Sequence, residues 1–167
     1  ISLSFSGMFI FVTASPYLYM EHFQQSPSSF PWLFGANILV MMVMNRVNMK
    51  LVGKYSSQQL LTVGLSIQAV CAIAMCLLFI LIPSVSIWLI LPLMMMFIGT
   101  MGLIGANCTA MILHHFRDIS ATANAVTGVI QFCGGALAGV IWAQLHNGTP
   151  VPMLALMVTT AAIALLM

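Results

Sequence analysis

The fold is decided by residues 87–113, IWLILPLMMMFIGTMGLIGANCTAMIL, which contain no Asp, Glu, Lys or Arg. Because an α-helix rises about 1.5 Å per residue, this run is long enough to cross the roughly 30 Å hydrocarbon core of a bilayer. The run is too long for a strand of a membrane barrel, and its apolar and polar residues do not alternate. The stretch therefore predicts a membrane-spanning helix.

Five further apolar segments lie on either side of this stretch. Pro31 stands at the start of one of them, behind Ser28 and Ser29, and Pro83 ends another. The sequence therefore predicts an all-α integral membrane protein with six transmembrane helices. The predicted spans are about residues 1–20, 31–47, 60–82, 87–113, 119–145 and 151–167.

The composition excludes several classes of protein. Hydrophobic residues make up 62% of the 167 residues and charged residues 4%, with a net charge of +2, whereas about a quarter of a soluble domain is charged. Such a chain cannot cover a water-facing surface. A soluble enzyme, a secreted disulfide scaffold and a disordered chain are excluded, and so is a nucleic-acid binder, which needs a basic patch. The lipid bilayer is the expected surrounding, and no cofactor is expected.

Both ends of the sequence lie inside apolar runs. The chain begins at Ile1 and stops at Met167, and no basic segment with a cleavage site precedes the first run, as a signal peptide would require. We therefore expect the sequence to be a piece of a longer polypeptide.

The basic residues predict the orientation in the membrane. Arg46, Lys50 and Lys54 lie at the junction of the second and third spans, and Arg117 lies between the fourth and fifth. All four fall on one side, and the other side carries no Lys or Arg. By the positive-inside rule the basic loops are cytoplasmic, which predicts a multi-pass protein of the cell's inner (plasma) membrane.

The fifth span has a face of small residues beside a face of polar residues. Gly135 and Gly139 form a GxxxG pattern, which allows two helix backbones to approach closely. Asn124, Thr127 and Gln131 lie about a quarter-turn away. Two interpretations stay open for this polar face: hydrogen bonds between helices, or the wall of a water-filled cavity, since polar groups facing lipid are costly.

The second and fourth spans repeat this combination. Asn37 and Asn48 share one side of the second span with two methionines, and Asn107 lies on a polar face of the fourth. Pro16 removes a backbone hydrogen bond from the first span and predicts a kink there. We expect close helix packing at four glycines: Gly102, Gly128, Gly135 and Gly139.

Residues suited to catalysis or metal binding are missing from the sequence. The four cysteines are scattered at no ligand spacing, and no nucleophile–base pair or phosphate-binding loop occurs, so we predict neither an enzyme nor a metal site. His114 and His115 fit an interfacial position, with a proton relay as the alternative. Glu21 and Asp118 both lie at loop edges. Because proton carriers in membranes are typically intramembrane acids, the main proton carrier of a proton-driven protein is not in this piece.

Several motifs resemble one family of transporters. Gly7-Met8-Phe9, Ala14-Ser15-Pro16 and Tyr19-Met20-Glu21 resemble the seventh helix of bicyclomycin-resistance (Bcr/CflA) type drug transporters of the major facilitator superfamily. Asn48, Lys50, Lys54, Gly64 and Gln68 are similar to the family's connection between helices 8 and 9. Gly102 with Asn107, and residues 121–125 through Gly128 and Gln131, resemble its helices 10 and 11. Ala121 and Ala106 depart from the family, which usually has Gly and Pro there.

The resemblance implies that the chain is the C-terminal half, helices 7 to 12, of a twelve-helix transporter. Such a protein works by alternating access and uses protons to export an amphipathic small molecule, and its other partner is the N-terminal six-helix half. The implied substrate-binding residues are Tyr17, Asn37, Asn107, Asn124 and Gln131. Arg46, Lys50 and Lys54 anchor the cytoplasmic loop, either through charge pairs or against lipid headgroups.

Three alternatives stay open beside a proton-coupled drug exporter. One is another carrier of the same superfamily, such as a metabolite exporter or a uniporter. Another is a self-contained six-helix structural membrane protein, which the absence of catalytic groups allows. An intramembrane enzyme is the weakest alternative, because it rests on His114 and His115 alone.

Overall fold

A computed structural model of the chain describes residues 1–82 and 84–167, and these residues form α-helices with no strand. The prediction of an all-helical membrane fold is confirmed. A π-helix, Tyr17–His22, continues the first helix, and a 3₁₀ turn, Arg117–Ile119, precedes the sixth. The described helices are α1 (Ser2–Pro16), α2 (Phe30–Leu51), α3 (Ser57–Leu81), α4 (Ile87–Gly99), α5 (Met101–His115), α6 (Ser120–Leu145) and α7 (Val151–Leu166).

In the described part of the chain, five helical segments are long and apolar enough to cross a membrane, which makes the chain a multi-pass membrane protein. They are Ser2–His22, Phe30–Leu51, Ser57–Leu81, Ile87–His115 and Arg117–Leu145. The remaining helix, α7, has 16 residues and is about 24 Å long at 1.5 Å per residue, shorter than the hydrocarbon layer.

The helix ends differ from the predicted ones by a few residues. Helix α3 begins at Ser57, earlier than predicted, because Ser56 and Gln59 form a reciprocal capping box. Helix α2 continues to Leu51, past the predicted end, and carries Lys50 in its last turn, where a positive charge is favoured. The predicted stop at Pro83 lies outside the described residues.

The fourth predicted span consists of two helices that meet at Thr100. The backbone of Thr100 stays in the right-handed helical region, and the Thr100 N–H donates to the carbonyl of Met96 at 3.0 Å. The Thr100 hydroxyl donates to the carbonyl of Phe97 at 2.7 Å. Because helical hydrogen bonding passes through Thr100, α4 and α5 form one rod, which we call the α4–α5 rod.

The helices pack into one bundle. Helix α1 packs against α6 and α7, while α2 and α3 each pack against the α4–α5 rod, and α3 also contacts α7. The core between them is apolar and includes Phe11, Met75, Phe97 and Met153. Burial is uneven along the apolar stretches of 18 residues in each span. In the α4–α5 rod 67% of this stretch is buried, against 6% in α2 and 17% in α6. Helices α2 and α6 therefore leave most of their surface uncovered.

Two cavities identify which helix ends lie together. Ser57, at the start of α3, lines one with His114 and His115, at the end of α5. Ile1, at the start of α1, and Met167, at the end of α7, line the other cavity. Because the start of α3 lies beside the end of α5, the connections that carry the basic residues lie at the same end of the bundle. We call it the basic end; its position relative to the membrane stays a prediction.

Candidate functional site

Two small cavities adjoin each other between α1 and α2. The first, the Asn37 cavity, measures about 190 Å³ and is lined by residues of α1, α2 and α4, among them Phe11, Phe34 and Asn37. The second, the Gln131 cavity, measures about 290 Å³ and is lined by residues of α1, α2, α5 and α6. Met8 and Met41 line both cavities. The site therefore has contributions from α1, α2, the α4–α5 rod and α6.

Asn37 is the buried polar residue of the first cavity, with 1% of its surface exposed. Its Nδ2 donates to the carbonyl of Leu33, one turn earlier, at 2.8 Å. The same nitrogen lies 3.5 Å from the hydroxyl of Tyr19. The Oδ1 atom has no hydrogen-bond partner among the described residues. Asn37 therefore lines an apolar cavity while its unpaired Oδ1 stays buried.

Gln131 is the polar residue that α6 contributes to the second cavity, opposite Thr109 of α5. It is half-buried, whereas Asn124, on the same predicted polar face, is exposed. Thr127 donates its hydroxyl proton to the carbonyl of Ala123 at 2.7 Å, within its own helix. Of this polar face, the described structure brings Gln131 to the cavity and leaves Asn124 away from it.

Asn107 lies in a contact between helices and not on either cavity. It is 2% exposed, and its Nδ2 donates to Oδ1 of Asn48 on α2 at 2.6 Å and to the carbonyl of Leu103 at 2.9 Å. This geometry corresponds to interhelical hydrogen bonding, one of the two interpretations open for the polar faces. Asn107 is therefore placed to join α2 to α5, and a substrate contact at Asn107 stays a prediction.

Tyr17 lies at the end of the bundle opposite the basic residues. Its hydroxyl donates to the carbonyl of Gly148 in the α6–α7 connection, and its ring meets His146 edge-on at 4.3 Å between centroids. Tyr17 follows Pro16, where α1 changes into the π-helix. The local helix geometry changes at the predicted kink, and Tyr17 joins two segments away from both cavities.

Close helix contacts occur at three of the four predicted glycines. A Cβ on Gly102 would lie 2.8 Å from the carbonyl oxygen of Met41, and one on Gly135 would lie 2.7 Å from the ring of Phe9. A Cβ on Gly139 would lie 3.3 Å from the Thr13 hydroxyl.

Gly128 differs, and the expected packing at Gly128 is not present. No atom of the described residues lies within 4 Å of its Cβ position. The register set by Gly135 against Phe9 and Gly139 against Thr13 places Gly128 level with the first residues of α1. The neighbouring helix offers no side chain to fill the space there.

The sequence did not identify Met8, Thr109 and Tyr19 as site residues, although the first two line the cavities. Tyr19 is 1% exposed and its hydroxyl lies beside the Asn37 amide. A tyrosine within an apolar span is a usable signal, because its hydroxyl needs a polar neighbour when buried. Met8 and Thr109 carry no such signal in a chain with 15 methionines and many intrahelical threonine hydrogen bonds.

The charged residues lie away from both cavities. Arg46, Lys50, Lys54 and Arg117 are all exposed at the basic end, and Glu21 and Asp118 are exposed too. No group of three His, Cys, Asp or Glu residues in the described ranges is arranged to hold a metal ion. The cavities are therefore uncharged, with amides, a hydroxyl, thioethers and aromatic rings as their functional groups.

Comparison with known proteins gives one informative similarity. Over 165 residues the chain is 28% identical to the bicyclomycin resistance protein homolog of Haemophilus influenzae, covering 99% of this chain and 41% of the relative. No family model matches the chain, and no solved structure matches it. The chain thus spans less than half the length of the curated relative it matches.

Proposed function

We propose that the chain is the C-terminal six-helix half of a membrane exporter of amphipathic small molecules. The observation that carries the proposal is the pair of adjoining cavities on α1, α2, α4–α5 and α6. Concave, mainly apolar sites with a few polar groups are typical of small-molecule binding. The similarity to a protein named for resistance to bicyclomycin supports a drug as the substrate and export from the cell, with antibiotic resistance, as the outcome.

The second part of the proposal is a partner half in the same polypeptide. The relative is more than twice as long as the aligned region, and α2 and α6 leave most of their surface uncovered. A preceding N-terminal six-helix half would cover these faces and complete a twelve-helix major facilitator fold. The substrate would then bind between the halves, which would rock to expose it to either side of the membrane in turn.

Proton coupling in this proposal depends on the other half. Glu21 and Asp118 are exposed and line neither cavity. Since intramembrane acids are the usual proton carriers, the exporter would hold its proton-binding carboxylate in the N-terminal half. The basic end would face the cytoplasm, with Arg46, Lys50 and Lys54 at the lipid headgroups.

The cavity residues would have different roles in this exporter. Asn37 and Gln131 would contact substrate, because they line the two cavities. Met8 and Met41 would adapt to apolar groups of different shapes, since methionine is flexible and polarisable. No catalytic role is assigned to any residue.

The test is transport by the complete polypeptide in proteoliposomes. The upstream reading frame is expected to encode six further spans. A fluorescent amphipathic drug is expected to be exported when a proton gradient is imposed, and export is expected to stop when a protonophore collapses the gradient. A reading frame without further spans, or no drug transport under any gradient, would contradict the proposal.

A carrier without proton coupling is the second candidate, and the uncharged cavities favour it. It predicts transport of the same drug that continues after the gradient has collapsed. The proteoliposome experiment therefore separates the two candidates in a single measurement.

A further inference from the structure

A groove of about 700 Å³ opens between α3 and α5 at the basic end of the bundle. We propose that this α3–α5 groove binds an anionic phospholipid, with the phosphate at its mouth and an acyl chain along its floor. The inference goes beyond the proposed function, because it concerns the lipid around the protein and not the exported molecule. The lining residues that carry it are Ser57, Leu61, Met111, Ile112, His114 and His115.

The groove begins where the two helices separate. A Cβ on Gly64 would lie 2.9 Å from Cγ1 of Ile104, so α3 and α5 are in close contact at this level. About one turn nearer the basic end, Leu61 and Cys108 already line the groove. The seven residues from Cys108 to His115 correspond to about 10 Å along α5. The groove therefore extends from the end of the bundle into the apolar part of both helices.

The lining changes from polar to apolar along this length. Ser57, His114 and His115 lie at the end of the bundle, where a hydroxyl and ring N–H groups can donate hydrogen bonds to phosphate oxygens. Leu61 and Ile112 lie deeper and offer apolar surface. This order fits an amphipathic molecule whose polar group lies at the end of the bundle.

Basic residues lie on both sides of the mouth along the chain. Lys54 precedes Ser57 by three residues, and Arg117 directly follows Phe116, which lines the groove. Both basic side chains are exposed. The described lining contains no carboxylate, and Asp118 is the only acidic residue in the two connections that meet here. Because basic pockets between membrane helices bind anionic headgroups, the charge favours an anionic lipid over a zwitterionic one.

The boundary of the hydrocarbon layer crosses the groove. Lys54 and Arg117 carry charges that are costly in hydrocarbon, whereas Leu61 and Ile112 belong to helical segments that are long and apolar enough to span the membrane. The mouth therefore lies at the level of the lipid headgroups and the floor at the level of the acyl chains. A phospholipid meets the groove in the orientation that it already has in the bilayer.

Arg46 and Lys50 provide a comparison at the same end of the bundle. They are exposed on α2 and do not line the groove, and together they carry the same charge as Lys54 and Arg117. A general attraction of anionic lipids to the basic end would depend on both pairs equally. A lipid bound in the α3–α5 groove depends mainly on the pair beside its mouth.

The experiment measures lipids bound to the complete polypeptide by native mass spectrometry. The purified protein in detergent is mixed with dioleoyl phosphatidylglycerol or with dioleoyl phosphatidylcholine, whose acyl chains are identical. We expect one molecule of phosphatidylglycerol to bind about tenfold more tightly than phosphatidylcholine. The double variant Lys54→Gln, Arg117→Gln is expected to lose this molecule. Arg46→Gln, Lys50→Gln is the matched control and is expected to keep it.

Met111→Trp tests the groove without a change in charge. Met111 lines the groove and is 38% exposed, so an indole there fills the groove and leaves the core intact. Met49→Trp is the matched control, because Met49 is exposed on α2 and does not line the groove. We expect Met111→Trp to displace phosphatidylglycerol and Met49→Trp to leave it bound. Glycerol 3-phosphate, a headgroup without acyl chains, is expected not to compete.

Several outcomes would overturn the inference. They are equal binding of the two lipids, no tightly bound phosphatidylglycerol, equal losses in the two double variants, or full binding to Met111→Trp. Equal losses in Met111→Trp and Met49→Trp would also overturn it. Competition by glycerol 3-phosphate as strong as that by phosphatidylglycerol would show a phosphate site in place of a lipid site.

Discussion

The two halves of α2 use the same residue type in different ways. Asn48, near the basic end, accepts a hydrogen bond from Asn107 of α5 at 2.6 Å. Asn37, eleven residues earlier, leaves its Oδ1 without a partner among the described residues and lines a cavity. Eleven residues are close to three helical turns, so both side chains lie on the same face.

This difference separates an amide that joins two helices from an amide whose oxygen has no partner among the described residues. The later half of α2 is fixed to α5 by the Asn48–Asn107 hydrogen bond and by the close approach of Gly102 to the backbone of Met41 and Asn45. The earlier half faces α1 across a space that protein atoms do not fill. Burial and polarity alone do not distinguish these cases; the partner of each amide oxygen does.

The largest expected effect comes from the close contact in the later half. Gly102→Ala would place a Cβ 2.8 Å from the carbonyl oxygen of Met41, and backbone cannot move aside as a flexible side chain can. We expect a loss of about 3 kcal/mol in stability, at the upper end for overpacking, measured by unfolding of the purified protein in mixed micelles.

Gly105→Ala is the matched control, one turn later in the same helix. No described atom lies within 4 Å of its Cβ position, so alanine should be neutral or stabilise by up to about 1 kcal/mol through helix propensity. Equal stabilities of the two variants would show that α2 and α5 are not in close contact.

An intermediate effect is expected from Asn107→Leu. The variant leaves the buried Oδ1 of Asn48 without its donor, and hydrogen bonds between membrane helices contribute up to about 1.7 kcal/mol. We expect a loss of about 1.5 kcal/mol in the same unfolding assay. The double variant Asn48→Leu, Asn107→Leu should recover part of it, because no unpaired polar atom then remains; additive losses would argue against a direct bond.

The smallest expected effect on stability is that of Asn37→Leu. The change removes a local bond to Leu33 and a long contact of 3.5 Å with the Tyr19 hydroxyl, and it also removes the unpaired Oδ1, so the contributions oppose each other. We expect the stability to change by less than about 0.5 kcal/mol. A loss as large as that of Asn107→Leu would mean that Oδ1 of Asn37 has a structural partner, and the comparison between the halves of α2 would fail.

Much of the fold could be predicted from the sequence, because long uncharged runs such as residues 87–113 have few alternatives to a membrane helix. The early start of α3 was also readable, since Ser56 and Gln59 have the spacing of a capping box. The π-helix after Pro16 was harder to predict from the sequence. Pro16 predicts a disturbed helix, but the hydrogen-bonding pattern that replaces the lost bond depends on surrounding contacts.

The candidate site was less predictable, because it depends on the register between distant helices. The sequence identifies Asn37, Asn107 and Gln131 as polar residues in apolar spans, and it cannot say which of them meets another amide. Asn107 and Asn48 are 59 positions apart, and only the packing of α2 on α5 pairs them. Gly128 illustrates the same limit, since a small residue permits close packing only where a neighbouring helix is present.

The location of the cavities has a mechanical consequence. They lie between α1 and α6 on one side and α2 and the α4–α5 rod on the other, whereas α7 packs on both α1 and α3. The separation of α1 from α2 therefore sets the volume that is open to a ligand.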